Sequence, residues 1–388
     1  MDSDEHSGSQ ADPPPPGDES PTRAFPRWLK WFVGIGAVVI AVGIAGSLIR
    51  LPYYTFSPGS ALDLSTRVNI SGAKTYPDRG DVMLLFVRER ARVNVWSWLQ
   101  ASLDSNIDLE KQQNVTGGQS PKHLDEQAVC DMTQSKISAQ VAALTELGYT
   151  VKALPGVDIA GFPEGSKTTK TSTGKTTIQT VVFPAENVLF PCDRVTEVDG
   201  HKIAHPEDVS KLIGRHRPGT SVSLRIVRAG RTLTVKVPVT EYGGKRIIGI
   251  SAAARFKVPF AIRIDTSNIS GPSAGLAMTL AIVDDLTPGD LTGGKRVAVT
   301  GTISPDGTVG QIGAIQQKAI TAKAAHAQIF IVPACGNDRA CSSDLRRLKQ
   351  RVGKGIDVEP VSTLAQALRV LRKAGGAPVR TGASTSTT

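Results

Sequence analysis

The chain has 388 residues, of which 40% are hydrophobic, so it is long and apolar enough for more than one globular core. The formal net charge of +10 favours anionic surroundings such as a membrane surface. The basic residues are scattered and only 5% of residues are aromatic, a composition that disfavours a nucleic-acid-binding protein.

The N-terminal end contains a polar segment followed by an apolar one. Residues 1–27 include the run PPPPG and show no apolar period, so we expect a disordered tail. The uncharged run FVGIGAVVIAVGIAGSLI, residues 32–49, predicts one transmembrane helix over residues 28–50. Tryptophans and tyrosines at both ends are typical of a membrane-interface belt.

The charges around this segment predict its orientation. Arg23, Arg27 and Lys30 precede it, whereas Arg50 stands alone after it. The positive-inside rule therefore places the tail in the cytoplasm and the rest of this single-pass membrane protein outside. A cleaved signal peptide is the alternative, because Gly43–Ala45 has small residues, but the apolar run is longer than is usual for one.

The chain has four cysteines, which fit an oxidising compartment. Cys335 and Cys341 lie in the polar loop ACGNDRAC, and we expect them to form a disulfide bond. Cys130 and Cys192 are either a second pair or two buried thiols. A zinc site is disfavoured, because paired CxxC motifs are absent and His326 is isolated in the sequence, so we expect no metal.

Residues 51–155 predict an α/β region. Short strand patterns, RVNISG and DVMLLFV, precede the helical pattern DMTQSKISAQVAALTELG, which ends at Gly148. We assign no chemistry to this segment.

A threonine-rich insertion, GFPEGSKTTKTSTGKTT, follows. Its TSTGKTT resembles a phosphate-binding loop, but Thr169 occupies the position where such a loop needs glycine. We therefore expect a solvated basic loop, with no ATP site and no cofactor.

The next pattern is strand, short helix, strand, turn, helix and hairpin. With PAENVLFPCDRVTEVDGHKI it resembles a PDZ domain of the type found in bacterial proteases, here over residues 156–243. Asp193 and Asp199-Gly200 match that family, whereas Cys192 replaces its usual glycine and a GLGF-like loop is not apparent. The resemblance implies that an extended peptide binds by strand addition.

The stretch NISGPSAGLAMTLAIVDD contains the main candidate site. Pro272 suits the first turn of a helix, which would place Ser273 among the unpaired amides of the helix N-terminus. Such a position favours an oxyanion.

A second helix, predicted from about Ala314, carries an apolar face. That face is formed by residues at i, i+3, i+4 and i+7 spacing, namely Ile315, Lys318, Ala319 and Ala322. The same spacing predicts that Gln316 and Gln317 point to solvent. Burial disfavours the charged form of Lys318, and a neutral amine can take a proton from a serine, so a Ser-Lys dyad would need no histidine.

These motifs resemble the proteolytic domain of Lon proteases. GPSAG matches the family's serine at Ser273, GAIQQK matches its lysine at Lys318, and VTGTI matches its threonine at Thr300. The resemblance implies a Ser-Lys dyad and a lysine-orienting role for Thr300. We expect backbone amides around Ser273 to stabilise an oxyanion, and Gly271, Pro272 and Ala274 to support the site. Ser270 and Thr302 replace acidic residues of many Lon enzymes, which changes the expected local electrostatics.

The predicted class is α+β: a single transmembrane helix, a PDZ-like domain and a C-terminal Lon-type proteolytic α/β domain at residues 244–374, with a disordered tail at 375–388. We expect a membrane-anchored, ATP-independent serine endopeptidase that cleaves extracytoplasmic peptides or proteins. The oligomeric state stays open. The alternatives are a non-catalytic PDZ scaffold and, less favoured, a basic membrane-surface adaptor.

Two other bases are weaker candidates. Lys323 lies at the edge of the same helical face as Lys318. His326 with Asp284 or Asp285 would imitate a histidine mechanism, but the spacing does not support it.

Overall fold

The computed structural model describes residues 27–76, 80–117, 119–163, 165–170, 176–267 and 269–379. Almost all of the predicted N-terminal tail and the end of the predicted C-terminal tail lie outside these residues.

The helices begin and end as follows: α1 Arg27–Leu48, α2 Val95–Leu103, α3 Gln112–Thr116, α4 Pro121–Glu146, α5 Pro206–Ile213, α6 Gly275–Leu286, α7 Ile315–Ala324, α8 Arg339–Val352 and α9 Leu364–Lys373, with a 3₁₀ turn at Pro184–Asn187.

The strands are β1 Tyr53–Asp63, β2 Val68–Ser71, β3 Asp81–Ala91, β4 Asp108–Lys111, β5 Lys152–Gly161, β6 Gly165–Lys170, β7 Thr176–Val181, β8 Arg194–Val198, β9 His201–Lys202, β10 Ser221–Arg228, β11 Arg231–Pro238, β12 Thr240–Tyr242, β13 Lys245–Ile247, β14 Ser251–Lys257, β15 Ala261–Ile264, β16 Arg296–Val299, β17 Thr302–Ile303, β18 Val309–Gly310, β19 Ile329–Pro333 and β20 Asp357–Val361.

Helix α1 belongs to a compact unit of its own, residues 1–49. Its window Trp31–Leu48 has a mean hydropathy of 2.2, which is apolar enough for a membrane span. A signal sequence near an N-terminus has the same properties, so this helix alone does not distinguish the two.

The unit from Arg50 onward contains a six-stranded sheet in the order β20-β19-β16-β3-β1-β4. Strands β3, β16, β19 and β20 are mutually parallel, and α7 and α8 connect the last three, as parallel pairing requires. Strands of the predicted 51–155 region and of the C-terminal region therefore share one sheet.

Side chains alternate between the two faces of this sheet. On one face, Leu84 and Val299 join a core with α4, α6 and α9. On the other face, Leu85 and Ala298 join a core with α7 and α8. The sheet lies between two helical layers, and this arrangement buries the near-continuous apolar runs of its central strands.

Helix α4 begins well before the predicted pattern at Asp131. Ser120 caps it by accepting from the His123 N–H, and Pro121 fits the first turn, where its missing N–H costs nothing. The extra N-terminal turns bring Ala128 to the loop before α6, where its carbonyl accepts from the Gly271 N–H, and they bring Cys130 next to Cys192.

The second sheet has the order β11-β10-β8-β5-β14, with β9 paired to β8. Its core includes Val195, Leu224 and Val237, packed with Val209 and Ile213 of α5. This sheet includes β14, which follows the predicted PDZ-like segment at residues 156–243.

Most of the described part of the threonine-rich insertion forms strands. Strands β6 and β7 pair as an antiparallel hairpin, from Gly165 opposite Val181 to Lys170 opposite Thr176. Threonine favours the extended backbone, which suits this hairpin. Residues 171–175, where the solvated loop was expected, lie outside the described residues.

Both cysteine pairs are disulfide-bonded. The predicted Cys335–Cys341 bond is confirmed, and Cys130 pairs with Cys192 rather than remaining a thiol. The Cys130–Cys192 bond joins α4 to the loop before β8, so it links the helix packed on the first sheet to the second sheet.

The two disulfides should differ in their effect on stability. Their sequence separations are 62 and 6 residues. Because a longer closed loop restricts the unfolded chain more, we expect Cys130→Ser/Cys192→Ser to lower the free energy of unfolding by about 4 kcal/mol and Cys335→Ser/Cys341→Ser by about 2 kcal/mol. Denaturant unfolding of residues 50–388 measures both, and the opposite order would contradict the prediction.

Candidate active site

Ser273 lies in a turn before α6 rather than within its first residues. The helix begins at Gly275, with Ala274 at the N-cap position and no side-chain cap. Gly271 has φ +91°, a left-handed conformation that favours glycine, and Pro272 cannot donate to a helix ladder. The prediction that Ser273 is part of the helix N-terminus is therefore wrong by two residues.

Backbone hydrogen bonds fix this turn against the end of β16. The Gly301 N–H donates to the Ser273 carbonyl at 3.0 Å, and the Leu276 N–H donates to the Gly301 carbonyl at 3.1 Å. A Cβ on Gly275 would come within 2.9 Å of the Ile303 nitrogen, so only glycine allows this approach. The position of Ser273 is thus set by the backbone on both sides.

Lys318 contacts Ser273 from α7. The Lys318 side chain is buried, at 2% exposure, and its Nζ lies 2.7 Å from Ser273 Oγ. Burial lowers the pKa of Lys318 to about 7, because a low-dielectric environment disfavours the ammonium form. A substantial fraction of the amine is therefore neutral at neutral pH.

Thr300 completes the contacts of the lysine. Its side chain is fully buried, and Lys318 Nζ donates to Thr300 Oγ1 at 3.1 Å. The Thr300 hydroxyl in turn donates to the Ser273 carbonyl oxygen at 3.3 Å. Thr300 therefore contacts both Lys318 and the backbone of the serine turn.

The backbone near Ser273 offers two amide donors. The Gly271 N–H donates to the Ala128 carbonyl at 3.0 Å, and Pro272 has no N–H. The N–H groups of Ser273 and Ala274 donate to no acceptor among the described residues. Of the predicted supporting residues, Ala274 thus retains an amide suited to an oxyanion, whereas Gly271 and Pro272 shape the turn.

Comparison with known families identifies this part of the chain. The family model of the Lon protease (S16) C-terminal proteolytic domain matches residues 264–373. Residues 264–373 are therefore similar to the proteolytic domain of Lon proteases, and this segment is called the Lon-type domain. The PDZ domain model matches residues 167–239, inside the predicted PDZ-like segment.

Two curated relatives are Lon proteases. The Lon protease of Roseiflexus castenholzii is 35% identical over 102 residues, which are 26% of this chain and 12% of that protein. The Lon protease of Chloroflexus aggregans is 30% identical over 99 residues, 26% of this chain and 11% of that protein. This chain therefore spans about a tenth of the length of these relatives.

Two solved structures are similar to part of this chain. The PDZ domain of an SdrC-like protein from Listeria monocytogenes is 24% identical and covers 18% of this chain and 76% of its own, with a TM-score of 0.17. The corresponding domain from Listeria innocua is 22% identical and covers 18% and 81%, with a TM-score of 0.17.

Helix α7 of the Lon-type domain is covered on more sides than predicted. Gln317 is fully buried and Gln316 is half-buried, so the expectation that both point to solvent is wrong. The reason is that α7 packs against both the sheet and α8. Gln316 Nε2 donates to the Asp344 carbonyl at 2.8 Å, within α8.

The weaker base candidates lie elsewhere. Lys323 and His326 are exposed, whereas Asp284 and Asp285 are buried in α6. The hydrogen bonds found among the described residues join neither Lys323 to Ser273 nor His326 to either aspartate. Lys318 is the base candidate that the Lon-type domain brings to the serine.

Ser273 and Lys318 line a cavity of about 1040 Å³. Strands β1 and β3 form part of its wall, through Phe56, Leu84 and Phe86 among others. Beyond Leu84, which pairs with Val299, the edge of β3 away from β1 has no strand partner among the described residues. The expectation that residues 51–155 carry no chemistry overlooked this wall.

Helix α4 also supports the serine turn. Ser135 is buried, and its Oγ donates to the Pro272 carbonyl at 3.1 Å. The sequence analysis missed Ala128 and Ser135, since they belong to no local motif. The helical period of the pattern around Ser135 indicated a packed face but not what it contacts.

Replacing Thr300 should slow catalysis without weakening substrate binding. Thr300→Val keeps the shape but removes the hydroxyl that accepts from Lys318, so we expect kcat to fall about 10- to 100-fold, the equivalent of one or two buried hydrogen bonds. KM should stay close to the wild-type value. Thr300→Ser, which keeps the hydroxyl, should restore most of the rate.

A buried threonine of α7 provides the matched control. Thr321 Oγ1 donates within its own helix, to the Gln317 carbonyl. Thr321→Val should therefore leave kcat nearly unchanged. An equal loss in both valine variants would indicate a packing effect rather than a role for Thr300.

Proposed function

We propose that this chain is an ATP-independent serine endopeptidase in which Ser273 is the nucleophile and Lys318 the general base. The observation that carries the proposal is the 2.7 Å contact between Lys318 Nζ and Ser273 Oγ in a buried site where the lysine pKa is about 7. A buried neutral amine at hydrogen-bond distance from a hydroxyl is the arrangement that activates a serine without histidine.

The reaction follows from these contacts. Ser273 Oγ attacks the peptide carbonyl carbon while its proton passes to the neutral Lys318 Nζ, and the amides of Ser273 and Ala274 stabilise the oxyanion. Lys318 then protonates the departing amine, and an acyl-enzyme remains. Water, which gives a proton to the same amine, attacks the ester carbonyl, and the ester bond breaks. Lys318 passes that proton to the departing Ser273 Oγ, which releases the second product and restores the serine and the neutral lysine.

The cavity supports an extended peptide as substrate. An unpaired β3 edge in the cavity wall offers backbone donors and acceptors to a peptide strand, as in recognition by strand addition. The PDZ domain assists recognition. A second cavity of the protein, of about 670 Å³, lies between α5 and residues 244–250. The sequence analysis did not identify residues 244–250 as a binding loop.

Membrane anchoring and extracytoplasmic action complete the proposal. The apolar α1 supplies the anchor, and two disulfide bonds fit an oxidising compartment. Protease added to spheroplasts should digest the region after Arg50 and spare the N-terminal tail. Protection of the C-terminal domains until the membrane is opened would contradict this topology.

A serine-reactive probe tests the enzymatic proposal. Residues 50–388 form one compact unit, so they suit the assay. A fluorophosphonate should label this protein and not Ser273→Ala, and a peptide library should be cleaved at the same rate with and without ATP. Peptide binding without labelling or cleavage would instead favour a non-catalytic PDZ scaffold.

A further inference from the structure

Helix α2 presents an apolar stripe to solvent. Trp96, Leu99 and Leu103 are 43%, 42% and 80% exposed, and their i, i+3, i+7 spacing puts them on one side of the helix. The opposite side packs inward through the buried Ala101 and through Trp98, whose ring lies 6.5 Å from that of Tyr53. The helix is therefore amphipathic with its large apolar side chains facing outward, which is unusual in a soluble domain.

The start of α2 is tied to the point where the chain leaves the apolar helix α1. Arg50 pairs with Asn94 in an isolated β-bridge, and the Leu51 N–H donates to the Val93 carbonyl at 2.9 Å. Asn94 is the N-cap of α2 and accepts from the Ser97 N–H. Since α1 ends at Leu48, two residues before Arg50, the chain can separate them by at most about 7 Å. If α1 spans a membrane, the N-terminus of α2 is thus held at the membrane surface.

Basic side chains surround this end of the helix. Arg50, Arg90 and Arg92 are exposed, and Arg90 Nη1 donates to Ser97 Oγ of α2 at 3.4 Å. The helix itself, VWSWLQASL, contains no charged residue. Tryptophan and leucine beside arginine form the combination that favours the interface of an anionic bilayer.

We propose that α2 is an interfacial helix, which lies on the leaflet that α1 leaves and inserts Trp96, Leu99 and Leu103 among the lipids. The three arginines contact the anionic headgroups. This inference rests on the membrane anchoring in the proposed function and is independent of the Ser-Lys chemistry. The ligand is a phospholipid surface rather than a single bound lipid.

A depth-sensitive probe tests the contact in the full chain. The described cysteines are all disulfide-bonded, so Leu103→Cys can carry a single environment-sensitive fluorophore. In nanodiscs with phosphatidylglycerol, brominated acyl chains should quench this probe at least about twofold, because an interfacial helix lies about 5–10 Å into the headgroup boundary. The same probe at Arg231→Cys, on the outermost strand of the second sheet, should be quenched far less.

Changes to the lipid or arginine charges and contact with a second copy of the chain give separate outcomes. Replacing phosphatidylglycerol by phosphatidylcholine, or Arg90 and Arg92 by glutamine, should weaken the quenching at position 103. No quenching there, with the chain still resistant to carbonate extraction, would overturn the proposal while leaving the anchor intact. A shift of the fluorophore spectrum that depends on protein density rather than on bromine would point to a second copy and overturn it too. Release by carbonate would instead contradict the anchor itself.

Discussion

Lys318→Arg should abolish peptide cleavage as completely as Ser273→Ala, by about 10⁴-fold or more in kcat/KM. Arginine keeps the positive charge, a long stem and hydrogen-bond donors, but it does not lose its proton in a protein, so it cannot accept one from Ser273. The comparison separates the basicity of Lys318 from its hydrogen bonds to Ser273 Oγ and Thr300 Oγ1. Steady-state cleavage of a fluorogenic peptide measures the loss.

A second lysine of the same helix provides the control. Lys323 is exposed, so Lys323→Arg should cleave at the wild-type rate. Since a larger buried cation can also disturb packing, circular dichroism is needed as a check of folding. We expect it to show that all variants are folded. Near-wild-type cleavage by a folded Lys318→Arg protein would falsify the mechanism, and a matching loss in Lys323→Arg alone would move the base to that residue.

The rate of peptide cleavage should rise with pH through one ionisation near pH 7. Lys318 acts as a base only when neutral, and burial lowers its pKa to about 7, so the active form is depleted below that pH. We expect kcat/KM to increase about tenfold per pH unit on the acid side and to level off above the pKa, a change of about 100-fold from pH 5 upward. A plateau reached only above pH 10 would show an unperturbed lysine.

A histidine could produce a similar midpoint, so the ionising group must be identified. Direct titration of the Lys318 side chain by nitrogen-15 NMR in Ser273→Ala should give a midpoint well below the ordinary value of about 10.4. The His326→Gln variant should keep the wild-type pH profile, because His326 is exposed and forms no hydrogen bond to Ser273 in the described structure. A midpoint that moves with His326 would contradict the assignment to Lys318.

Short-range patterns came close to the local positions of Ser273 and Lys318. The helical period placed Lys318 on an inward face, and the turn residues around Ser273 indicated a helix start close to the observed one. Both signals depend on residues within one or two turns of each other. The disulfide between Cys335 and Cys341 was predictable for the same reason, since a six-residue separation confines the two side chains.

The surroundings of the dyad depend on contacts between distant segments, which periodicity does not encode. The short apolar pattern DVMLLFV predicted a strand, but not that β3 pairs with β16 and borders the serine cavity. The helical pattern of α7 likewise showed an apolar face, but Gln317 is buried and its Nε2 donates to the carbonyl of Asn106, in the distant segment between α2 and β4. In both cases the sequence identified the element and left its partner undetermined.

The pairing of β3 with β16 also determines when the contact between Ser273 and Lys318 can form. Asp81 lies opposite Arg296, and the next neighbour, β19, is later still in the chain, so the central sheet closes only after most of the polypeptide has been made. Lys318 lies between β16 and β19 and reaches Ser273 only on that completed sheet. A chain whose synthesis has not yet passed β19 therefore lacks the contact between Lys318 and Ser273.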